Sequence, residues 1–277
     1  NGLQPVFIDI DSDTLNMDPA KIEAAITPKT KAIMPVHCYG NPCNVEAIKI
    51  IADKYGLKVI YDAAHAFGVR DGGGSILRYG DLSVLSFHAT KVFNTFEGGA
   101  IICHDTATKV RIDQLKNFGI VDELSVNSVG INGKMNEISA AFGLLQLKYI
   151  DSVLEKRKLI DSQYRELLSK VQGIKLVGKI EGAESNHAYF PILVEEEYSL
   201  TRDDLYEKLK EEGIFSRRYF SPLISDLLPY KNSCIIGSEP LNTAQETVSK
   251  ILCLPIYPDL DKMSLNRIVE LIKGWSA

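Results

Sequence analysis

The sequence predicts an α/β protein with a mixed, mostly parallel sheet flanked by helices, followed by a smaller C-terminal α+β domain. Between residues 5 and 104, short β-rich apolar runs alternate with helical patterns, which is typical of parallel βαβ units. The runs at 82–87 and 99–103 have no helical pattern between them, so this part of the sheet is expected to be antiparallel. Apolar residues make up 45% and charged residues 24% of the chain, the balance of an ordinary globular protein.

The strands and helices of the first half of the chain are predicted from the periodicity of apolar residues and from residues that cap or end helices. Strands are predicted at 5–10, 31–36, 58–61, 82–87 and 99–103. Asp18 and Asn44 are suited to cap helices, and the helix after Asn44 is expected to end at Gly56. The strand at 58–61 then delivers Asp62 at its carboxyl end.

A long helical pattern joins the two predicted domains. Apolar residues spaced for one helix face from 136 to 170 predict a single helix, and the domain boundary is placed within it, so that the domains span 1–155 and 156–277. The second domain is predicted to contain strands at 188–194 and 251–255 and helices at 201–212 and 264–275.

Composition argues against several classes of protein. The net charge of −5 disfavours a nucleic-acid partner held by phosphate neutralisation. No apolar run approaches the roughly 18 residues of a membrane-spanning helix. The five cysteines lack the spacing of a metal site, so no metal is expected, and free thiols in a reducing cytoplasm are the favoured interpretation.

Two segments concentrate polar residues at predicted strand ends. VIYDAAHAFG (59–68) contains Asp62, and LSFHATKVFNTFEGGA (85–100) contains Ser86 and Lys91. Ligands of open α/β sheets bind outside the carboxyl ends of strands, and a partly desolvated lysine there can attack a carbonyl. Pyridoxal phosphate requires a lysine that forms a Schiff base with it and a carboxylate that keeps its pyridine nitrogen protonated, so this pair of residues is suited to that cofactor. Taken alone, each signal is weak. Asp62 also suits a helix cap or a loop, Lys91 beside glycines also suits a solvated loop charge, and His65 and His88 also suit ordinary loop or core histidines.

Four separated motifs, in order along the chain, carry a family resemblance. They are PVFIDIDSDTLNMDP (5–19), MPVHCYGNPCNVEAI (34–48), GINGKMNEISAAFGLLQL (130–147) and LCLPIYP (252–258). With the two strand-end segments, they make the chain resemble the sugar aminotransferases of the DegT/DnrJ/EryC1/StrS family. The resemblance implies a pyridoxal-phosphate-dependent transferase of fold type I.

The resemblance also implies roles for individual residues. Lys91 would bond covalently to the cofactor and then move protons, and Asp62 would pair with the pyridinium nitrogen. His65 occupies the position at which most members of the family have Gln. The side chain at that position would reach the phenolic oxygen of the cofactor. Ser86 would donate its hydroxyl to the cofactor phosphate. Asn132 would reach the phosphate of the cofactor bound by a neighbouring subunit, which implies a homodimer with shared sites.

The implied reaction transfers an amino group from L-glutamate to a nucleotide-linked keto sugar. The acceptor favoured by the resemblance is dTDP-4-keto-6-deoxyglucose, used in surface-polysaccharide or glycan biosynthesis. Arg217, Arg218 and Tyr219, in the segment FSRRYFSPL, and His187 are the expected substrate contacts. Arginine suits a diphosphate because its planar donors match the phosphate oxygens.

Several alternatives stay open. The acceptor could be a 3-keto sugar or a UDP- or GDP-linked sugar, and the chain could be a non-catalytic regulatory relative. A dehydratase of the same family would carry His in place of Lys91. A plain Rossmann nucleotide-binding module would need a glycine-rich turn, and GNPCN at 40–44 is not one.

The chain opens on Asn1 directly before a predicted strand. The resemblance implies a preceding segment with a Ser-Gly-Thr turn at a helix N-terminus, which binds the cofactor phosphate, and a side chain that stacks on the cofactor ring. We therefore expect the 277-residue chain by itself to bind pyridoxal phosphate weakly or not at all and to be inactive, whereas a longer natural protein should be active.

Overall fold

The structure is a computed structural model that describes residues 2–231, 235–237 and 239–276. Its strands are β1 (Val6–Phe7), β2 (Ala32–Ile33), β3 (Lys58–Asp62), β4 (Arg70–Asp71), β5 (Gly74–Ser75), β6 (Leu82–Ser86), β7 (Gly99–Cys103), β8 (Ile120–Asp122), β9 (Ser125–Val126), β10 (Ile174–Leu176), β11 (Phe190–Val194), β12 (Ile235–Ile236) and β13 (Ile251–Leu254). Its α-helices are α1 (Ile22–Ala25), α2 (Val45–Tyr55), α3 (Thr106–Leu115), α4 (Glu137–Leu147), α5 (Ile150–Leu168), α6 (Arg202–Glu211), α7 (Leu228–Lys231), α8 (Asn242–Lys250) and α9 (Lys262–Gly274). Short 3₁₀ turns span Pro19–Lys21, Cys38–Gly40, Ile76–Arg78 and Ile224–Asp226.

The main sheet has the strand order β2-β3-β6-β7. β3 is parallel to both β2 and β6, whereas β6 and β7 are antiparallel. The expectation of a mixed, mostly parallel sheet is therefore confirmed, including the antiparallel pair where the sequence has no helical pattern between two strands.

Helix α2 covers this sheet and buries one apolar face. Asn44 caps it by accepting a hydrogen bond from the Ala47 N–H, and the helix ends at Gly56, which has a φ of 63°. That left-handed conformation favours glycine because it lacks a Cβ. Ile48 and Ile51 lie in an apolar cluster with Val59 of β3. The predicted cap at Asn44 and the predicted stop at Gly56 are both found.

The C-terminal part contains a second, antiparallel sheet with the order β10-β11-β13. Helices α5, α6 and α9 contribute fully buried side chains to one apolar cluster with these strands, among them Tyr164, Leu209 and Leu265. Helix α6 begins with a capping box between Thr201 and Asp204, which satisfies free backbone donors at the helix start. The domain boundary near residue 155 stays a prediction.

Three sequence predictions differ from the structure. The pattern at 136–170 forms two helices, α4 and α5, because the chain turns at Lys148 and Tyr149, whose N–H groups bond three residues back as in a 3₁₀ turn. Asp18 caps the 3₁₀ turn at Pro19–Lys21, which leads into the short helix α1. The strands predicted at 5–10 and 31–36 are only two residues long, because few of their backbone groups pair with a neighbour.

No helix in the described ranges combines the length and the apolar character needed to cross a membrane. Four cysteines in those ranges, Cys38, Cys43, Cys103 and Cys253, are unpaired. The fifth, Cys234, lies outside the described residues.

Asp9 ties the N-terminal segment to helix α8. Its carboxylate is 2% exposed and accepts hydrogen bonds from the N–H groups of Thr243 (3.0 Å) and Ala244 (2.8 Å), the first turn of α8. The Lys21 ammonium lies 3.2 Å away. Burial by itself raises the pKa of Asp9, but the backbone hydrogen bonds and Lys21 outweigh it, so that the pKa is lowered.

We therefore expect Asp9→Ala to lower the free energy of unfolding by about 1–3 kcal/mol, because buried donors lose their acceptor. The pKa of Asp9 is lower in the folded than in the unfolded state, where it is about 4. Its stabilisation is thus complete above pH of about 4 and is lost as the pH falls through the folded-state pKa. Thermal unfolding of both proteins between neutral and acidic pH measures this, and equal midpoints at neutral pH would contradict the role of Asp9.

Candidate active site

Two adjacent parallel strands bring the predicted site residues to one edge of the main sheet. β3 ends at Asp62 and β6 ends at Ser86, and Asp62 pairs in register with Val84. Lys91 follows β6 in a turn that is closed by a hydrogen bond from its N–H to the His88 carbonyl (2.9 Å). This edge is where open α/β sheets bind ligands.

Lys91 carries a half-buried amine that faces the C-terminal part of the chain. Its Nζ lies 3.4 Å from the hydroxyl of Tyr189. Burial lowers the pKa of Lys91, and the nearby Asp62 carboxylate offsets part of this effect. A lysine whose pKa is lowered is neutral more often near physiological pH, and the neutral amine is the form that attacks carbonyls and accepts protons.

Asp62 presents a carboxylate with free acceptor capacity. Its backbone is fixed by hydrogen bonds to the Pro35 carbonyl (2.9 Å) and from the His37 N–H (3.0 Å). One carboxylate oxygen accepts the N–H of Ala64 at 3.0 Å, and the other has no hydrogen-bond partner in the part of the chain that the structure describes. That oxygen can hold a cationic donor.

His65 is fixed as a neutral hydrogen-bond donor. Its Nδ1 accepts the backbone N–H of Tyr39 (3.2 Å), so the neutral ring carries its proton on Nε2. Burial, with the nearby Lys91 amine, lowers the pKa of His65 to about 3. The ring stacks on Phe220, with centroids 5.2 Å apart, and meets the edge of Tyr189 at 4.8 Å. The side chain is therefore neutral at physiological pH.

Ser86 lies at the end of β6, opposite Gly99 of β7. Its hydroxyl oxygen accepts the N–H of His88 at 3.3 Å, so its own hydrogen remains available as a donor. The predicted site residues thus supply four different groups. They are the Asp62 carboxylate, the neutral N–H donor of His65, the Ser86 hydroxyl and the Lys91 amine, whose pKa is lowered. This donor set fits the pyridinium, phenolic oxygen, phosphate and aldehyde of pyridoxal phosphate.

Asn132 lies in the segment that precedes helix α4. It is exposed and forms an isolated backbone bridge with Asn117. The apolar side chains of Val129 and Ile131 beside it are also exposed. A contact of Asn132 with a cofactor in a neighbouring subunit stays a prediction.

Arg217 and Tyr219 line a cavity of about 540 Å³ that also touches Thr90 and Tyr189, next to Lys91. The structure therefore brings these two predicted substrate residues to the neighbourhood of the lysine. Backbone hydrogen bonds between Arg217 and Cys253 of β13 (3.0 and 2.8 Å) hold this segment in place.

Arg218 turns away from that cavity. Its guanidinium lies 3.8 Å from the ring centre of Tyr206 and forms ion pairs with Asp203 (2.7 Å) and Glu207 (3.5 Å), all on helix α6. The sequence does not distinguish the two adjacent arginines, but the structure does, because neighbouring side chains of an extended segment point to opposite sides.

His187 is also directed elsewhere. It is buried, and its Nδ1 lies 3.4 Å from the Asp161 carboxylate of α5. Burial alone would raise the pKa of Asp161, but the neighbouring His187, Lys179 and Arg165 side chains lower it to about 2. Within this chain His187 therefore contacts α5 and does not line the cavity.

Sequence reasoning missed the residues that join the two halves of the site. Asn186 is 1% exposed, and its side-chain amide donates to the carbonyls of His65 (2.7 Å) and Phe67 (2.8 Å). Tyr189 lies three residues further along and contacts both His65 and Lys91. In the sequence, the polar pair Asn186-His187 directly before a predicted strand is the feature that could have indicated these contacts.

Comparison with known proteins gives matches over nearly the whole chain. A family model described as the DegT/DnrJ/EryC1/StrS aminotransferase family matches residues 1–273. Two curated relatives are the dTDP-4-amino-4,6-dideoxy-D-glucose transaminases of Shigella dysenteriae, 56% identical over 274 residues, and of Escherichia coli, 52% identical over 277 residues. Each alignment covers 99% of this chain and 74% of the relative.

A solved structure with the same fold is that of DesI in the presence of its TDP-sugar product. It superposes with a TM-score of 0.92 at 36% sequence identity, over 99% of this chain and 69% of DesI. The match spans both the sheet that carries the lysine and the C-terminal strands.

Proposed function

Since this chain belongs to the DegT/DnrJ/EryC1/StrS family of aminotransferases, we propose that it binds pyridoxal phosphate and transfers the amino group of L-glutamate to C4 of dTDP-4-keto-6-deoxyglucose. The observation that carries the proposal is the cluster of Lys91, Asp62 and His65 at the edge of the sheet. The choice of sugar is supported by the 52–56% identity to transaminases named for the dTDP-linked 4-amino product.

When bound, pyridoxal phosphate supplies an electron sink that stabilises negative charge at a carbon next to nitrogen. Lys91 is the residue that would hold the cofactor covalently, and the amino group of the substrate would displace its Nζ and free the amine. The free Nζ, as the general base, would then take the proton from Cα of glutamate and pass it to the cofactor. In the second half-reaction Nζ would take a proton back from the cofactor and deliver it to C4 of the sugar. The lowered pKa of Lys91 suits both tasks, because the neutral and protonated amine are then closer in population at neutral pH.

The other residues hold the cofactor in its reactive form. The free oxygen of the Asp62 carboxylate would keep the ring nitrogen protonated. The Nε2–H of neutral His65 would donate to the phenolic oxygen, and the Ser86 hydroxyl would donate to the phosphate. Phe220 and Tyr189 enclose His65 and limit access of water to it.

The proposed assembly is a homodimer in which Asn132 reaches the cofactor phosphate of the neighbouring subunit. Exposed apolar side chains in the stretch of chain at 124–144, which contains Asn132, support this, because exposed apolar surface is typical of protein interfaces. At least 67% of each of these side chains is exposed: Leu124, Val129, Ile131, Ile138 and Leu144.

We place the activity in the cytoplasm, where unpaired cysteines stay reduced.

The amino acceptor is tested with a panel of nucleotide sugars. The full-length natural protein is incubated with L-glutamate and with dTDP-, UDP- or GDP-linked 4-keto sugars and a dTDP-linked 3-keto sugar, and the products are identified by mass and NMR. We expect the dTDP-4-keto-6-deoxy sugar to be aminated fastest, at C4. Amination at C3, or a preference for UDP or GDP sugars, would overturn this choice of substrate.

A further inference from the structure

A buried asparagine links two segments of the chain that come together beside Lys91. Asn186 is 1% exposed, and its side-chain nitrogen donates to the carbonyls of His65 (2.7 Å) and Phe67 (2.8 Å). Its side-chain oxygen accepts the N–H of Ala188 at 3.1 Å. Both hydrogens of the amide and its oxygen are thus bonded within the chain, so this side chain holds other parts of the protein in place.

A third segment packs closely against the same side chain. Gly40 has a φ of 85°, and a Cβ added there would lie 2.7 Å from the side-chain oxygen of Asn186 and 3.0 Å from the His65 carbonyl. Contacts this short leave no room for a Cβ, which favours glycine at this position. The neighbouring Tyr39 donates its N–H to Nδ1 of His65 at 3.2 Å. His65 is therefore fixed at its ring by Tyr39 and at its backbone by Asn186.

Helix α5 fixes the other side of the segment 186–189. Arg157 of this helix is 7% exposed, and its Nη1 donates to the carbonyls of His187 (3.3 Å) and Ala188 (3.4 Å). These two residues directly follow Asn186 in the chain. The segment is therefore held on one side by α5 and on the other side by the hydrogen bonds of Asn186.

Tyr189, the last residue of this segment, connects it to the reactive amine. Its ring meets that of His65 with centroids 4.8 Å apart, and its hydroxyl lies 3.4 Å from Nζ of Lys91. Because Asn186 bonds the backbone of His65 and lies close to Tyr189 in the same segment, it sets the distance between these two rings. Without it, the loop that carries His65 could shift relative to Tyr189 and Lys91.

We propose that Asn186 is a positioning residue for the proposed reaction. It fixes the backbone of His65 against the segment that ends at Tyr189, and so keeps the Nε2–H of His65 and the Lys91 amine at the spacing that the cofactor requires. The proposal deepens the proposed function and rests on it. The role needs two donors on one short side chain, and an alanine supplies neither.

The test compares Asn186→Ala with Asp9→Ala in the full-length natural protein, purified with its cofactor. Asp9 is the matched control, since it is similarly buried and accepts two backbone N–H bonds, but between the N-terminal segment and helix α8. Both substitutions remove hydrogen bonds from buried backbone groups, so both should lower the midpoint of thermal unfolding. Steady-state rates give kcat and KM, and the visible absorbance spectrum of the bound cofactor is recorded for each variant.

We expect Asn186→Ala to lower kcat at least about tenfold with little change in KM for glutamate, because small displacements of reacting groups are costly in rate. The spectrum of the bound cofactor should also change, since the ring of His65 moves relative to it. Asp9→Ala should leave kcat and the spectrum unchanged. A smaller loss of kcat, an unchanged spectrum, or the same changes in Asp9→Ala would overturn the proposal.

If Asn186→Ala does not fold, Gly40→Ala replaces it, because the added Cβ presses on the Asn186 side chain. Gly56→Ala is then the control, since Gly56 has a similar left-handed φ of 63° but an added Cβ there meets nothing within 4 Å. The loss of kcat and the spectral change should appear in Gly40→Ala alone. Equal behaviour of the two glycine variants would count against the role of Asn186.

The outcome is separable from that of the proposed function. If the protein aminates keto sugars but Asn186→Ala keeps the kcat and the spectrum of the wild type, only the positioning role fails. If no sugar is aminated while the spectrum changes in Asn186→Ala and not in Asp9→Ala, Asn186 positions the cofactor site and the proposed reaction is wrong.

Discussion

Lys91→Ala is expected to lower the rate of transamination by at least about a thousandfold, because the variant loses both its covalent attachment to the cofactor and its proton-transfer group. The fold should be retained, since the side chain is half-buried and its hydrogen bond to the Tyr189 hydroxyl is long, at 3.4 Å. Turnover is measured with glutamate and the keto sugar in the full-length natural protein, and circular dichroism and thermal unfolding report on the fold.

Lys49→Ala is the matched control for this substitution. Lys49 is an exposed lysine of helix α2 whose ion pair with Asp53 lies on the surface, so its loss should cost little. Ordinary turnover by Lys91→Ala, or an equal loss in Lys49→Ala, would show that Lys91 is not the residue that carries the reaction.

The second large effect is expected from Asp62→Asn, which should retain the cofactor but lose at least about a hundredfold in rate. The amide can still accept the Ala64 N–H, so the local geometry should persist. It cannot stabilise a protonated ring nitrogen, because it carries no charge. Wild-type rates in this variant would contradict the role of Asp62.

The same variant has a second signature in the pH dependence of the rate. The charge of Asp62 raises the pKa of Lys91 against the effect of burial. Its removal should therefore lower the pKa of the free Lys91 amine further and displace the corresponding limb of the pH–rate profile towards lower pH. Asp53→Asn, at an exposed position on α2, should leave both the rate and the profile unchanged.

Elements with strong local signals could be predicted closely from the sequence. Helix α2 has both a side-chain cap and a glycine stop, and its bounds match the prediction. The strands β3, β6 and β7 also agree within one residue, because short segments rich in apolar and β-branched residues, bounded by polar residues or glycine, are typical of strands.

Elements without an apolar face could not be predicted. Helix α3 has no fully buried side chain in the structure, so its sequence lacks the periodicity of a packed helix. The break between α4 and α5 falls on Lys148 and Tyr149, neither of which interrupts helices by itself. Tertiary packing decides the direction of the chain there.

The positions of site residues at strand ends could be predicted from the sequence, whereas contacts between segments far apart in the chain could not. Asp62 and Ser86 follow buried strands, so their position could be inferred. Tyr189 reaches Lys91 across a separation of 98 residues, and no local pattern of the sequence indicates that contact. Nor could the sequence separate Arg217 from Arg218, since only the position of α6 decides which of them is already paired.

The central claim is that Lys91 holds a pyridoxal phosphate cofactor at the edge of this sheet, and reductive labelling tests it most directly. The full-length natural protein, purified with its cofactor, is reduced with borohydride and digested, and the modified residue is located by mass spectrometry. We predict that the cofactor mass is found on Lys91 and is lost in Lys91→Ala. A label on another lysine, or full turnover in a protein that takes up no label, would contradict the claim.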